Sequence, residues 1–365
     1  IGRKSWTEWM DFVEGVADEL PPMVSLSEYK ENPPLLPEEL IHGILRRGHK
    51  MLISGSSKAG KSFLLMELCI SIAEGTKWLG FPCRKGRVLY VNLEIDPASC
   101  INRFLKIYDA LRIPMNKSEN IVIWNLRGHA VPLDQLVPKL IRRVRDLHFD
   151  AIVIDPIYKV ITGDENKASE MGQFCNQFDK ICTETGCSAI YCHHHSKGAQ
   201  GNKRAMDRAS GSGVFSRDPD AQLDMIQLEL TDDIKNNLRD GKATAWRLES
   251  SLREFENIEP VNFWFEYPVH RMDTDGNLGE MPAQGTLEAG RMKNSHSKTA
   301  EACAEEFRNA YQALNMDGSV TVSDMMGYLN VSDKTIYARL KKLDGEFILK
   351  KGRILKNDGT SKASE

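Results

Sequence analysis

Eight consecutive residues, Gly55, Ser56, Ser57, Lys58, Ala59, Gly60, Lys61 and Ser62, have the spacing G-x-x-x-x-G-K-S. The strand-like MLIS precedes them and the helix-like FLLMELCISIA follows, the context that gives this spacing meaning. Glycine lets the backbone curl until successive N–H groups point inward, and the helix N-terminus adds its positive end. Lys61 is then placed to reach the β- and γ-phosphates of a nucleotide, and the Ser62 hydroxyl to ligate Mg²⁺. ATP with Mg²⁺ is the expected ligand.

Phosphate chemistry needs a carboxylate near the metal. Ala-Ile-Val-Ile-Asp155 is an apolar run ending in an acid, at the strand end where open α/β sheets bind ligands. Asp155 therefore joins Ser62 as the expected metal pair. Hydrolysis also needs a group that orients and deprotonates water. Val-Leu-Tyr-Val-Asn-Leu-Glu94 is a second such run, one helix after the phosphate loop, which makes Glu94 the candidate base with Asp96 as a weaker rival. A third run, SAIYC, leads into His193, His194 and His195. Cys182, Cys187 and Cys192 precede those histidines at five-residue intervals, not at the two-to-four spacing of zinc ligand pairs. The eight cysteines contain no C-x-x-C and read as reduced thiols.

Strands are expected at Met51–Ser54, Val88–Leu93, Ile121–Leu126, Ala151–Ile154 and Ser188–Cys192. Helices are expected between them at Ser62–Ala73, Ala98–Leu111, Leu133–Leu147 and Ala168–Thr185. Such alternation predicts an α/β fold, a doubly wound and mainly parallel sheet with helices on both faces. From Gln222 to Tyr267 three strand-like runs follow without helices, which suggests antiparallel hairpins at a sheet edge. The expected organisation is an acidic arm and linker over 1–40, an ATPase domain over 41–270, a Gly/Asn/Ser-rich linker over 271–298, a small domain over 299–356 and a polar tail over 357–365. Residues 1–40 hold nine acids against three bases. The chain begins at Ile1 without an initiator Met, which reads as a piece of a longer protein.

The phosphate loop, Glu94 ending the second strand, Asp155 ending a later one and the histidines ending the next together resemble the RecA-like ATPases. Within these the sequence is similar to the RepA-type hexameric helicases of plasmids and mobile elements, relatives of the DnaB-type replicative helicases. The resemblance covers about residues 40–270. It implies that Glu94 is the catalytic glutamate, Asp155 the metal-proximal aspartate, and His193 or His194 a γ-phosphate sensor, with His193 favoured. It implies that the Gly-rich basic segment 196–213, with Lys197, Lys203, Arg204 and Arg208, grips single-stranded DNA in a central channel. It implies that Arg253 reaches a neighbouring subunit's nucleotide, with Arg247, Arg217 and Arg208 as alternatives. The loop is poorer in glycine than that family's often is. Neither a primase domain nor a zinc ribbon is indicated.

Near the C-terminus, residues 319–343 contain two short amphipathic helices about a tight turn, with Ser323 and Ser332 as N-cap candidates. Phe347–Lys356 reads as a hairpin turning at Gly352, and the whole resembles a winged helix-turn-helix. Ser332–Lys356 holds eight bases and three acids in a chain of net charge −3, a local footprint suited to DNA. Lys334 and Arg339 are its candidate contacts, and duplex DNA its candidate partner.

A chain of 365 residues with 41% hydrophobic and 27% charged content has a real core. That excludes a mainly disordered chain, a collagen-like repeat and a disulfide miniprotein. Its apolar runs fall short of the ~20 residues of a membrane span, and no signal peptide is legible. The expected protein is a cytoplasmic, hexameric, ATP-hydrolysing DNA helicase or translocase. The competing expectation is a regulatory ATPase that binds duplex DNA without unwinding it.

Overall fold

The computed structural model describes residues 23–165, 167–195, 213–237, 242–286, 300–315, 319–329, 331–343, 345–350 and 352–357. The chain divides into two compact units, Ile1–Gln284 and Gly285–Glu365.

The first unit is an α/β layer structure around a nine-stranded sheet. Its strands are β1 (Lys50–Gly55), β2 (Val88–Asn92), β3 (Ile121–Asn125), β4 (Ala151–Asp155), β5 (Ser188–His194), β6 (Ala221–Gln227), β7 (Thr244–Leu252), β8 (Val261–Glu266) and β9 (Val269–Met272). The order across the sheet is β9-β8-β7-β6-β1-β5-β4-β2-β3. From β6 to β3 every pairing is parallel, and from β6 to β9 every pairing is antiparallel.

One helix crosses between each successive pair of strands from β1 to β5: α1 (Lys61–Glu74), α2 (Pro97–Leu111), α3 (Leu133–Val144) and α4 (Ala168–Thr185). Strands β1, β2, β4 and β5 are buried along nearly their whole length, which is why they read as continuous apolar runs rather than alternating ones. α1 is buried on all sides, with every residue from Phe63 to Ala73 inside. α3 instead buries one stripe, Leu133, Leu136, Val137, Leu140, Ile141 and Val144, at helical spacing. The two faces of the sheet carry separate cores. Met51, Ile53, Ile190 and Cys192 face α1 and α2, whereas Leu52, Ala189 and Tyr191 face α3 and α4.

Two expectations are refined here. The antiparallel hairpins expected from Gln222 onward are present, β6 to β9 pairing in chain order, and the first of these strands, β6, also pairs in parallel with β1, Leu223 opposite Ile53, and is buried on both faces. Its alternating Gln222 and Asp224 disguise it, because both are polar yet fully inside. The segment 271–298 is also not linker throughout. Chain as far as Gln284 folds onto β6, with Glu229 N–H donating to the Pro282 carbonyl at 2.9 Å and Gln284 N–H to the Gln227 carbonyl at 2.8 Å. Leu278 is wholly buried beside Leu228 and Ala245. One apolar residue in a Gly-rich stretch has no period, so the sequence pattern hides it.

The second unit has helices α5 (Ala300–Leu314), α6 (Val322–Leu329) and α7 (Asp333–Lys342), and strands β10 (Val320–Thr321), β11 (Phe347–Lys350) and β12 (Arg353–Lys356). The three strands form one antiparallel sheet in the order β10-β12-β11. Phe307, Met325, Ile336, Leu340 and Phe347 make its core. Ser332 caps α7, accepting from the Thr335 N–H. Ser323 does not cap α6. Thr321 does, accepting from the Asp324 N–H at 3.2 Å, while the Asp324 carboxylate takes the Thr321 N–H at 2.9 Å.

Candidate active site

The C-terminal ends of β1, β2, β4 and β5 meet at one edge of the sheet, over a cavity of about 670 Å³. The phosphate loop leaves β1 at Gly55 and enters α1 at Lys61. Two residues of the loop are left-handed, Lys58 at φ 62° and Gly60 at φ 82°, and the second is the position immediately before the helix. Gly60 is required there: the conformation disfavours a side chain, and an added Cβ would come within 3.2 Å of His270 Nε2.

Lys61 is buried, and its ammonium donates to the Gly55 carbonyl at 2.9 Å and the Ser56 carbonyl at 2.8 Å. Burial lowers its pKa, opposed by the negative charge of Asp155 and Glu94 nearby. The cation is thus folded onto the loop's own oxygens, within the cavity where phosphates would seat.

Asp155 ends β4 and is buried. Tyr90 from the middle of β2 donates its hydroxyl to Asp155 Oδ2, and the Cys192 thiol lies 3.0 Å from Oδ1. Burial first, then the Asp155 charge, pushes both the phenol and the thiol well above their ordinary values, so both remain protonated donors. Glu94 is exposed at the cavity wall. Burial, and to a lesser degree the adjoining Glu94 carboxylate, raises the pKa of Tyr158, with Lys159 opposing.

The histidines are separated by strand alternation. His194 lines the cavity, its Nδ1 3.2 Å from Lys61 Nζ and its ring 5.6 Å from that of Tyr158. Burial and then the Lys61 charge lower its pKa, which keeps the ring neutral with Nδ1 accepting from Lys61. His193 faces the other side of the sheet, against Phe215 and with Nε2 3.6 Å from Glu165. The preference for His193 as the residue facing the phosphates is therefore corrected to His194. His195 turns with His193, to 3.4 Å from Asp224.

Asp96 is an N-cap, accepting from the Ser99 N–H at 3.1 Å, with Pro97 in the first turn of α2. Sequence reasoning overlooked Arg103 and Arg127, both of which line the cavity. Arg103 projects from α2 and stacks over the Phe63 ring at 4.8 Å, and Arg127 follows β3. Phe265, from the antiparallel half of the sheet, closes another wall. Its ring lies 5.6 Å from that of Phe63 on α1, and no local motif announces the approach. A basic residue nine positions beyond Glu94 on the same βα unit was the available signal for Arg103.

Arg253 does not present a free guanidinium. It follows β7 at the end of the sheet opposite the phosphate loop, bonding Asp220 at 2.9 Å and the Arg217 and Asp218 carbonyls at 2.9 and 3.2 Å. Within the single chain Arg253 is an intramolecular clamp, because the β6–β7 pairing sets Asp220 beside it. Of the alternatives, Arg247 is spent on Asn262 and on the Gly279 and Met281 carbonyls, and Arg217 is exposed. Lys197, Lys203, Arg204 and Arg208 lie outside the described residues. In the second unit Lys334 is exposed, while Arg339 is 15% exposed and paired with Glu306 at 3.3 Å.

These residues fit a nucleotide with its magnesium. The cavity is lined by two ammonium groups, Lys58 and Lys61, two guanidinium groups, the Ser62 hydroxyl and three carboxylates, Glu94, Asp96 and Asp155, around a helix N-terminus. Among the described residues no cluster of three or more acidic, His or Cys side chains could hold a metal by itself. Magnesium bound through a hydroxyl, one or two carboxylates and the phosphates needs none. Among the described residues no helix is long and apolar enough to cross a membrane.

A family profile described as "AAA domain" matches residues 17–200, just over half of the chain. The match includes the phosphate loop, Glu94, Asp155 and His194. One solved structure, titled as the ATPase domain of another protein, aligns with a TM-score of 0.44 at 14% identity. It covers 72% of this chain and 95% of its own.

Proposed function

The chain belongs to the AAA domain family and is a P-loop ATPase; from that premise we propose a RecA-like motor that couples ATP hydrolysis to movement on single-stranded DNA, a helicase or translocase working as a ring, most simply a hexamer. One observation carries this reading. Strand β5 ends with His194 against Lys61, and the chain passes directly from there into the basic segment 196–213. A single strand thus links the phosphate end of the nucleotide to the residues best suited to grip a phosphate backbone.

In the proposed mechanism Lys61 leaves the Gly55 and Ser56 carbonyls for the β- and γ-phosphates, a change the weakly hydrated, buried ammonium favours. The loop amides and the N-terminus of α1 bind the phosphates. Ser62 and Asp155 would hold magnesium, which when bound supplies charge neutralisation at the β- and γ-oxygens. Tyr90 and Cys192 fix the Asp155 carboxylate so that it needs no reorientation. Glu94, exposed on the cavity wall, orients the attacking water and takes its proton. His194, neutral and hydrogen-bonded to Lys61, senses the γ-phosphate through the lysine's departure. Arg103 and Arg127 offer positive charge within the same subunit.

The second unit supports a winged helix: three helices and a three-stranded sheet, with the β11–β12 hairpin as the wing. Its basic excess favours duplex DNA, and that is the ground for the second reading, a regulatory ATPase that reads a DNA site without strand separation. Steady-state ATPase with and without single-stranded DNA, beside unwinding of a forked duplex, separates the two. A motor is stimulated by single strands and opens the fork, and Lys61→Ala abolishes both. Turnover indifferent to DNA, with tight duplex binding and an unopened fork, establishes the regulator instead. Unwinding that survives Lys61→Ala sinks the motor reading.

A further inference from the structure

His270, the second residue of β9, comes from the outermost strand of the sheet, yet its ring rests against the phosphate loop. The space that a Cβ on Gly60 would occupy is closed by His270 Nε2 at 3.2 Å and by the Phe265 ring at 3.5 Å. The other side of the imidazole is fixed by Glu67. Glu67 Oε1 accepts the His270 backbone N–H at 3.1 Å and lies 2.8 Å from Nδ1. Both side chains are almost fully enclosed, at 0% and 5% exposure. Glu67 lies seven residues beyond Gly60, two turns of helix, so α1 shows both positions to the same strand. Phe263 and Phe265 flank the ring with centroids 5.4 and 4.6 Å away.

A carboxylate oxygen already accepting one N–H is matched by a proton on Nδ1, which leaves Nε2 as a bare acceptor. Nε2 is buried and has no hydrogen-bond partner. A buried unpaired nitrogen calls for an account. Here the account is steric. A nitrogen without a hydrogen is the thinnest edge an imidazole has, and it faces the Cα–H that glycine carries where other residues have Cβ. The protonated edge would press on the left-handed turn at Gly60.

We propose that His270, oriented by Glu67, is a positioning residue of the phosphate loop: a fixed brace behind Gly60 that keeps the loop amides aimed at the phosphates. The sheet edge thereby supports the loop from outside the βα unit that contains it. Burial raises the Glu67 carboxyl above its ordinary range, with His270 the main opposing influence, in keeping with a carboxylate that depends on this one ring.

The proposal deepens the nucleotide-binding reading of the same cavity, and the test separates them. Titration of the full chain with a fluorescent ATP analogue is run alongside steady-state ATPase and melting without nucleotide. His270→Asn places an amide where Nδ1 was, keeping the Glu67 contact but emptying the space behind Gly60. Its Kd and KM are expected to rise about tenfold, the scale of one well-placed contact, with kcat within about twofold of wild type. His270→Gln, whose amide reaches the Nε2 position, is expected to recover part of that loss. Should His270→Asn not fold, Glu67→Gln, which preserves volume but frees the ring to change tautomer, is expected to raise Kd about threefold. A folded His270→Asn or Glu67→Gln with wild-type Kd and a lowered melting temperature overturns the brace alone. A wild-type chain that binds no nucleotide overturns the nucleotide reading and the brace together.

Discussion

His193 and His194 differ by one position and share almost none of their surroundings. His194 meets Lys61 across the cavity, while His193 packs on Phe215 beneath the opposite face. His194→Ala is expected to lower kcat about a hundredfold, the loss that follows removal of one polar group aimed at developing charge. In a folded His193→Ala, kcat should stay near wild type. Parallel ATPase assays decide this, and equal losses in both variants would remove the distinction. The depressed pKa of His194 also has a pH signature. Unfolded, the ring takes up its proton near 6.5; folded, burial and Lys61 delay this to lower pH. The unfolded chain therefore binds more protons as pH falls below that value, and stability drops there, while above it nothing is lost. His194→Gln should flatten that limb of a melting-temperature profile; an unchanged limb places the titration elsewhere.

Elements carry their own instructions at their ends. Asp96 and Pro97 start α2, which explains why an acid two residues from Glu94 is a cap and not a second base. Thr321 and Asp324 start α6 by reciprocal bonds, where the sequence suggested Ser323. Any hydroxyl within a residue of the helix start fits the pattern, and the β10 pairing selects Thr321 by fixing it as the last strand residue. Thr321→Ala is expected to cost the second unit about 1 kcal/mol, seen as a lower melting temperature, with Ser323→Ala within about 0.5 kcal/mol of wild type. The reverse order would show that the cap is misassigned. Strands β1, β2, β4 and β5 were legible because strands buried on both faces are written as apolar runs. The place of β6 beside β1 was not legible because Gln222 and Asp224, paired inside the sheet, look like surface residues.

At the scale of the molecule, two units with separate cores divide the work proposed above. A chain ending at Gln284 should keep basal ATPase activity, while its affinity for duplex DNA falls at least tenfold and loses its steep salt dependence. ATP turnover lost on truncation would mean that the second unit completes the ATPase. The amino-acid sequence by itself determined the phosphate loop, the acids ending β2 and β4 and the α/β alternation, because each is a local pattern of spacing, period or strand end. Only tertiary structure decided which histidine faces Lys61, that Arg253 is spent on Asp220, that Arg103 and Arg127 enter the cavity, and that His270 stands behind Gly60. These depend on the parity of a strand, the register of β6 on β7 and the curl of a nine-stranded sheet, long-range properties that join residues up to about 200 positions apart.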